Sequence, residues 1–130
     1  MPIKAAFDMV KEATAEIETI SPTDAMARMN DDDFLLVDIR DPRELEREGR
    51  IPGAFHAPRG MLEFWVDPAS PYYKKVFGED KKFVFFCAAA GRSAISVQTL
   101  QNMGMENIAQ LGEGFGGWVK AGGPVEGRDK

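Results

Sequence analysis

Two short apolar runs, far apart in the chain, constrain its fold most strongly. Residues 34–39 and 82–86 are each of strand length, and apolar side chains fill most of their positions without alternation. A strand with apolar residues on both faces is typical of the centre of a parallel sheet that helices cover on both sides. Helical and extended patterns alternate around these runs, which favours an α/β fold.

Signals for helix starts and ends divide the rest of the chain. Ser21 is typical of an N-cap and Pro22 of a first helical position, so a helix is predicted to begin there. A longer helix is predicted from about Arg92 to Met103, with Gly104 ending it. The other expected elements are a helix opened by Asp41-Pro42 with Leu45 facing inward, short helical pieces at 61–65 and 71–77, a strand at 108–111, a glycine-rich turn at 112–117 and a last short helix anchored by Phe115 and Trp118.

The first residues indicate an amphipathic helix that precedes the sheet. Residues 3–20 are predicted to form this helix and a short extended piece after it, because apolar residues recur at three- or four-residue spacing. The apolar stripe has two alternative destinations. One is the core of the same domain, and the other is a second copy of the chain, in which case the helix would hold a homodimer together. The stripe consists of Ile3, Phe7, Val10, Thr14 and Ile17.

Length and charge restrict the classes of function. A chain of 130 residues suits one domain. Its formal net charge of −5 comes without the basic face of a nucleic-acid binder, so no nucleic-acid partner is expected. Charges interrupt the first twenty positions, and no apolar run approaches the ~20 residues that cross a bilayer, so neither a secretory signal nor a membrane partner is expected. Cytoplasm is the default location.

The chain has one cysteine, Cys87, and one histidine, His56, so no intrachain disulfide can form and no zinc site of cysteines and histidines can be built. No metal is therefore expected. Residues 112–117 match the spacing of a dinucleotide-binding loop, but the chain ends before the acidic residue that such a site needs ~20 positions further on. No cofactor is expected either.

Cys87 directly follows the second apolar run and precedes a loop of small residues. Ligands of open α/β sheets bind at the carboxyl ends of the strands. A tight loop that enters a helix can point its backbone N–H groups at the sulfur, which favours a thiolate. The forked donors of Arg92 would bind an oxyanion. The pattern predicts a nucleophilic cysteine in an anion-binding loop, and the alternative is a buried, inert cysteine. The loop comprises Ala88, Ala89, Ala90, Gly91, Arg92 and Ser93.

Several segments, in the same order, resemble the rhodanese family over about residues 18–126. The loop from Cys87 to Ser93 is similar to the family's catalytic loop. The other matching segments are an opening helix at 21–25, a strand-and-helix signature at 36–44, a turn at 49–54 and a closing glycine-rich segment at 116–125.

The resemblance implies a three-layer α/β/α domain with a mainly parallel central sheet at 18–126, an added N-terminal helix at 1–17 and a short tail at 127–130. It also implies a sulfurtransferase. A donor such as thiosulfate would give its sulfane sulfur to Cys87, and cyanide, a small thiol or a protein thiol would take it from the persulfide. Arg92 would bind an anionic donor, and the backbone amides of residues 88–93 would hold the persulfide.

The sequence departs from the family's pattern in its loop and in one turn. Ala90 stands where many members have glycine three residues after the cysteine, so the loop is expected to bend differently. Arg50 replaces the usual histidine of the turn at 49–54. No charged residue lies between Cys87 and Arg92, which leaves a donor other than thiosulfate open.

Other polar and aromatic residues are assigned structural roles. Asp38 and Arg40 match the family, and we expect them to form a buried pair that ties the end of a strand to its loop. His56 lies in another segment and is expected to be a satisfied histidine rather than a base for Cys87. Ordinary packing is also expected for most of the aromatic side chains that could line a substrate mouth, which are Phe64, Trp65, Tyr72 and Tyr73.

Two alternatives to a sulfurtransferase stay open. Cysteine phosphatases of a similar fold also hold a thiolate in an amide nest beside an arginine, but their loop places five residues between the two. Here four residues separate Cys87 from Arg92, a ring that suits one sulfur atom better than a tetrahedral phosphate. The other alternative is a non-catalytic module that binds or carries a persulfide.

Overall fold

The computed structural model describes residues 2–127. Five strands alternate with six α-helices, and two short 3₁₀ turns lie between β3 and β4. The elements are α1 (Ala6–Glu16), β1 (Thr19–Ile20), α2 (Pro22–Arg28), β2 (Phe34–Asp38), α3 (Pro42–Glu48), β3 (Phe55–His56), the 3₁₀ turn Arg59–Met61, α4 (Leu62–Val66), the 3₁₀ turn Lys75–Gly78, β4 (Lys82–Phe86), α5 (Gly91–Met103), β5 (Ile108–Leu111) and α6 (Gly114–Lys120).

The strands form one parallel sheet in the order β1-β5-β4-β2-β3. The two apolar runs become β2 and β4, which pair along their whole length from Phe34 opposite Lys82 to Asp38 opposite Phe86. Both are covered on both faces, as their composition predicted. The predicted parallel α/β fold is therefore confirmed.

Alternate residues of β4 enter two separate cores. Phe83 and Phe85 pack in one core with α4 and α5, and Val84 and Phe86 pack in the other with α2 and α6. Cys87, the next residue, continues the first of these faces. This alternation places the Cys87 side chain on the α5 side of the sheet, at the carboxyl end of a central strand.

Helix α1 packs on α5 of the same domain. Ala13 is fully buried and Val10 and Ile17 are partly buried, while Gln98 of α5 donates a 2.9 Å hydrogen bond to Glu16. Val10 and Ile17 of the predicted stripe therefore pack within the domain. Ile3, Phe7 and Thr14 of the same stripe are exposed and do not.

The predicted N-terminal helix also differs in its bounds and its proposed role. It was expected over residues 1–17 and begins at Ala6. Because its buried side chains face α5, the packing gives no support to a homodimer through this helix.

The glycine-rich segment at 112–117 was predicted to be a turn, but most of it is helical. Gly114, Gly116 and Gly117 lie inside α6, whose Phe115 and Trp118 are buried as expected. The helical piece expected at 71–77 is the 3₁₀ turn Lys75–Gly78. Of the expected tail at 127–130, all but Gly127 lies outside the described residues. Within residues 2–127 no helix combines the length and apolar character needed to span a membrane.

Candidate active site

Cys87 lies where β4 ends and is 1% exposed. Three alanines follow it, and α5 then begins at Gly91. The loop is therefore a short connection between a central strand and a 13-residue helix. Ala90 precedes the helix with φ −160° and ψ 3°, outside the positive-φ region that favours glycine. The alanine is therefore accommodated at this position without a positive φ, and a bend that differs from the glycine-containing loops stays a prediction.

The loop leaves a row of backbone N–H groups free. The first hydrogen bond of α5 runs from the N–H of Ala94 to the carbonyl of Ala90, at 3.2 Å. Among the described residues, the N–H groups of residues 88–93 have no backbone acceptor. Unpaired N–H groups at the start of a helix create a positive potential that stabilises an anion. A negative sulfur on Cys87 would lie against this potential.

Ser93 connects Cys87 to the neighbouring strand. The Cys87 thiol donates to Ser93 Oγ at 3.6 Å, and Ser93 Oγ donates to Gln110 Oε1 at 2.8 Å. Gln110 is buried in β5, and its amide donates to Thr19 Oγ1 at 3.3 Å. Sequence reasoning included Ser93 and missed Gln110. The available signal was a glutamine inside an otherwise apolar strand.

Glu44 holds Arg92. The Arg92 guanidinium donates two hydrogen bonds to the Glu44 carboxylate, of 2.8 and 2.9 Å. These bonds lower the pKa of Glu44 from 4.5 to about 2. The same pairing raises the pKa of Arg92 above its usual range, and Cys87 contributes in the same direction.

The pairing changes the role expected for Arg92. The sequence predicted a forked donor free for an oxyanion, whereas the fork already binds a carboxylate. The sequence placed Glu44 only at the end of the strand-and-helix signature at 36–44, and in the structure Glu44 also forms a capping box with Asp41. Since β2 and β4 are neighbours, the helices that follow them begin at the same edge of the sheet, which brings Glu44 to Arg92.

Helix α6 holds the loop from the side opposite α5. The N–H of Phe115 donates to the carbonyl of Cys87 at 2.8 Å, and the N–H of Gly116 donates to that of Ala88 at 3.0 Å. Gly114 has φ +60°, and a Cβ added there would lie 2.0 Å from the carbonyl oxygen of Ala89. Only glycine therefore allows α6 to approach the loop so closely.

Asp38 and Arg40 form the buried pair that the sequence predicted. Arg40 is fully buried and donates to Asp38 at 3.0 and 2.8 Å, and also to the carbonyl of Gly49 at 2.9 Å. Its guanidinium lies 4.0 Å from the centre of the Phe115 ring. His56 Nε2 lies 2.7 Å from the carbonyl oxygen of Arg40, which fits a satisfied histidine. Arg40 therefore connects the end of β2 to Gly49 and to α6, and neither this pair nor His56 hydrogen-bonds Cys87, whose partner is Ser93.

A cavity of about 390 Å³ opens beside Cys87. Its walls come from the loop, from α5 and, unexpectedly, from α1. The side chains that matter for its character are Phe7, Val10, Cys87, Arg92 and Ile95. The four aromatic residues 64, 65, 72 and 73 do not line it. A second hollow, of about 770 Å³, lies between residues 88–90 and α6, and Cys87 does not border it. Residues 2–127 contain no group of three or more histidine, cysteine, aspartate or glutamate side chains that could hold a metal ion.

Comparison with known protein families matches residues 21–121 to a model described as a rhodanese-like domain. Among curated proteins, a thiosulfate sulfurtransferase GlpE from Glaesserella parasuis is 29% identical over 107 residues, covering 82% of this chain and 91% of its own length. An uncharacterized protein from Synechocystis is 31% identical over 107 residues, which cover 82% of this chain. The match spans only 55% of that cyanobacterial relative.

Solved structures share the fold at higher coverage. A protein of unknown function from Rhodopseudomonas palustris, described as a possible tyrosine phosphatase, is 51% identical with a TM-score of 0.91, covering 97% of this chain and 99% of its own. A homodimeric polysulfide-sulfur transferase from Wolinella succinogenes is 31% identical with a TM-score of 0.69, covering 92% and 85%.

Proposed function

Because this chain belongs to the rhodanese-like domain family, we propose that it is a sulfurtransferase that carries a sulfane sulfur as a persulfide on Cys87. Sulfurtransferases among its relatives support the class of reaction. The observation that carries the proposal is the row of N–H groups of residues 88–93 without backbone acceptors, at the helix start beside Cys87. A persulfide anion is the kind of small charged group that such a row stabilises.

The reaction has two halves. The Cys87 thiolate attacks the sulfane sulfur of a donor, a new S–S bond forms at Sγ, and the bond from that sulfur to the rest of the donor breaks with its electron pair leaving on the donor. A thiol, a protein thiol or cyanide then attacks the outer sulfur and restores the Cys87 thiolate. Covalent catalysis of this kind gives ping-pong kinetics.

Each part of the loop has a role in this scheme. The amides of Ala88, Ala89, Ala90, Gly91 and Ser93 hold the outer sulfur, and Arg92, whose charge Glu44 largely balances, lies at the mouth where the donor enters. Residues 18–126 form the transferase domain, residues 1–17 are an addition to it and 127–130 are a tail. The scheme needs the free Cys87 thiol, which a reducing compartment such as the cytoplasm maintains.

The first test measures the intact mass of the protein after incubation with a sulfur donor and removal of small molecules. Thiosulfate, mercaptopyruvate and a small persulfide are each used as donor. We expect the wild-type chain to gain one sulfur atom with at least one donor and to lose it to cyanide. Cys87→Ser provides the control, since it keeps a small polar side chain at the same place but lacks the sulfur.

The result can contradict the proposal in two ways. A wild-type chain that gains no sulfur from any of the three donors is not a sulfurtransferase of this type. A gain that is equal in Cys87→Ser places the sulfur elsewhere. A chain that loads sulfur but never passes it on would instead be a persulfide-carrying module.

The name of the Rhodopseudomonas palustris structure favours a second candidate, a cysteine-dependent phosphatase. Two features of this chain oppose it. Only four residues separate Cys87 from Arg92, and the donors of Arg92 that would hold a phosphate are bound to Glu44. Hydrolysis of an aryl phosphate that depends on Cys87, without sulfur loading, would establish the phosphatase instead.

A further inference from the structure

The wall that α1 adds to the Cys87 cavity points to the chemistry of the sulfur donor. We infer that the chain selects an organic donor with an apolar body and at most one negative charge, such as an aryl thiosulfonate, over the small dianion thiosulfate. The inference rests on the proposed sulfurtransferase function. Two independent observations carry it: the apolar wall from α1 and the neutralised charge of Arg92.

The apolar wall lies outside the family's shared domain. The family match begins at residue 21, whereas α1 ends at Glu16. Helix α1 is fixed on α5 close to the loop, since a Cβ added at Gly91 would lie 3.8 Å from a methyl group of Val10. From this position α1 contributes Phe7 and Val10 to the cavity beside Cys87.

Phe7 is the residue best placed to contact a ligand. Its side chain is 83% exposed although it lines the cavity, so its ring is not used in packing the domain. Ile95 of α5 also lines this cavity. An apolar group bound between Phe7 and Ile95 would remove apolar surface from water on both sides.

The side-chain charges at the cavity give a dianion little attraction. Among the described residues that line it, Arg92 alone carries a charge, and both of its hydrogen bonds to a carboxylate go to Glu44. The pair leaves little net positive charge to offset thiosulfate, which must also approach a negative sulfur on Cys87. A donor with one charge fewer meets less repulsion.

The step balances with a thiosulfonate as donor. The Cys87 thiolate attacks the terminal sulfur of R–SO₂–S⁻, and an S–S bond forms at Sγ. The bond between that sulfur and the sulfonyl sulfur breaks, and the sulfinate R–SO₂⁻ leaves with the electron pair. Two negative charges are present before the step and two after it, on the persulfide and the sulfinate. Cyanide then removes the outer sulfur as thiocyanate.

Three sulfur donors distinguish the effect of the donor's charge from the effect of its apolar group. Thiosulfate carries two charges and no organic body, methanethiosulfonate carries one charge and a methyl group, and benzenethiosulfonate carries one charge and an aryl ring. Thiocyanate formation with each donor gives kcat/KM for the full-length chain. We expect the wild type to prefer benzenethiosulfonate over methanethiosulfonate by about tenfold, the effect of burying ~50 Å² of apolar surface. We also expect it to prefer methanethiosulfonate over thiosulfate.

The variant Phe7→Ala tests the wall, with Met9→Ala as its control on the same helix. Met9 is exposed but does not line the cavity. We expect Phe7→Ala to lower the benzene-to-methane preference about fivefold and Met9→Ala to leave it unchanged. Equal use of both thiosulfonates by the wild type, or an equal loss in both variants, overturns the inference and leaves the sulfurtransferase intact. Absence of sulfur loading from every donor refutes the proposed function itself.

Discussion

Glu44 controls how much of the positive charge on Arg92 reaches a bound anion. The two carboxylate oxygens accept hydrogen bonds from the two terminal nitrogens of the guanidinium, at 2.8 and 2.9 Å. In Glu44→Gln, a neutral amide replaces it and leaves Arg92 with an uncompensated charge. We therefore expect this variant to raise kcat/KM for thiosulfate about 3–10-fold relative to methanethiosulfonate, in keeping with the ~1 kcal/mol of a partly exposed charge pair. Thiocyanate formation with the two donors measures the ratio.

Glu46→Gln is the matched control for that variant. Glu46 lies on the same helix and is exposed. Its substitution by glutamine removes the same charge, but Glu46 does not contact Arg92. Because the pKa of Glu44 is about 2, its carboxylate is ionised at every pH between 5 and 9. The thiosulfate-to-methanethiosulfonate preference of Glu44→Gln, divided by that of the wild type, is therefore expected to stay constant over this range. An equal effect of Glu46→Gln, or a ratio that changes between pH 5 and 9, would mean that the Arg92–Glu44 pair does not set the preference.

Sequence reasoning identified the site residues that are consecutive in the chain. It missed Glu44 and Gln110, which hydrogen-bond the loop residues from other segments. Cys87 and its loop follow one strand, so local order alone was enough to group them. Glu44 and Gln110 reach the loop through β2 and β5, which lie on either side of β4. The order of strands in a parallel sheet is set by its crossover connections, and periodicity does not reveal it. Arg92 was consequently predicted with free donors.

One glycine positions helix α6 against the loop. A Cβ at Gly114 would lie 2.0 Å from the Ala89 oxygen and 2.5 Å from the Cys87 oxygen, and the residue has φ +60°. We expect Gly114→Ala to lower the free energy of unfolding by roughly 2–4 kcal/mol, because it combines backbone strain with a clash. The loss of the α6 contacts should also reduce sulfur loading in the folded fraction. Urea unfolding and intact mass measure the two effects.

Gly122→Ala separates the two causes. Gly122 follows the other end of α6, has φ +86°, and a Cβ there would have nothing within 4 Å. This variant therefore has the strain without the clash and should cost about 1 kcal/mol with unchanged sulfur loading. If both variants lose the same stability, the close approach of α6 to the loop is not what requires Gly114.

Helix α1 shows where periodicity stops being informative. Spacing alone predicted an apolar stripe from Ile3 to Ile17, and the spacing fits a helix that begins at residue 3. The helix instead begins at Ala6, and its buried line includes Ala13, which the predicted stripe did not contain. The face that a helix buries depends on the surface it meets, and the small Ala13 allows α1 to approach α5 closely. The direction of Phe7 toward the Cys87 cavity follows from that contact.

The buried pair of Asp38 and Arg40 connects the sheet to α6, the helix that holds the loop. Both side chains have almost no exposure, and Arg40 also packs on Phe115 of α6. Removing one charge of a buried pair leaves the other unpaired in an apolar interior, which typically costs about 3–5 kcal/mol. We expect Arg40→Met to show this loss in urea unfolding. Its folded fraction should still load sulfur, because Arg40 contacts neither Cys87 nor the cavity beside it.

A double-mutant cycle decides whether the loss comes from the pair itself. Asp38→Asn alone leaves Arg40 unpaired, whereas Asp38→Asn with Arg40→Met removes both charges. The double variant should therefore lose less stability than the sum of the single variants, by about 1–3 kcal/mol. Additive losses would show that Arg40 contributes through Phe115 and the carbonyl of Gly49 rather than through Asp38. A folded Arg40→Met chain that fails to load sulfur would show that the packing of Arg40 on Phe115 is needed to hold α6 against the Cys87 loop, and that the pair does more than stabilise the fold.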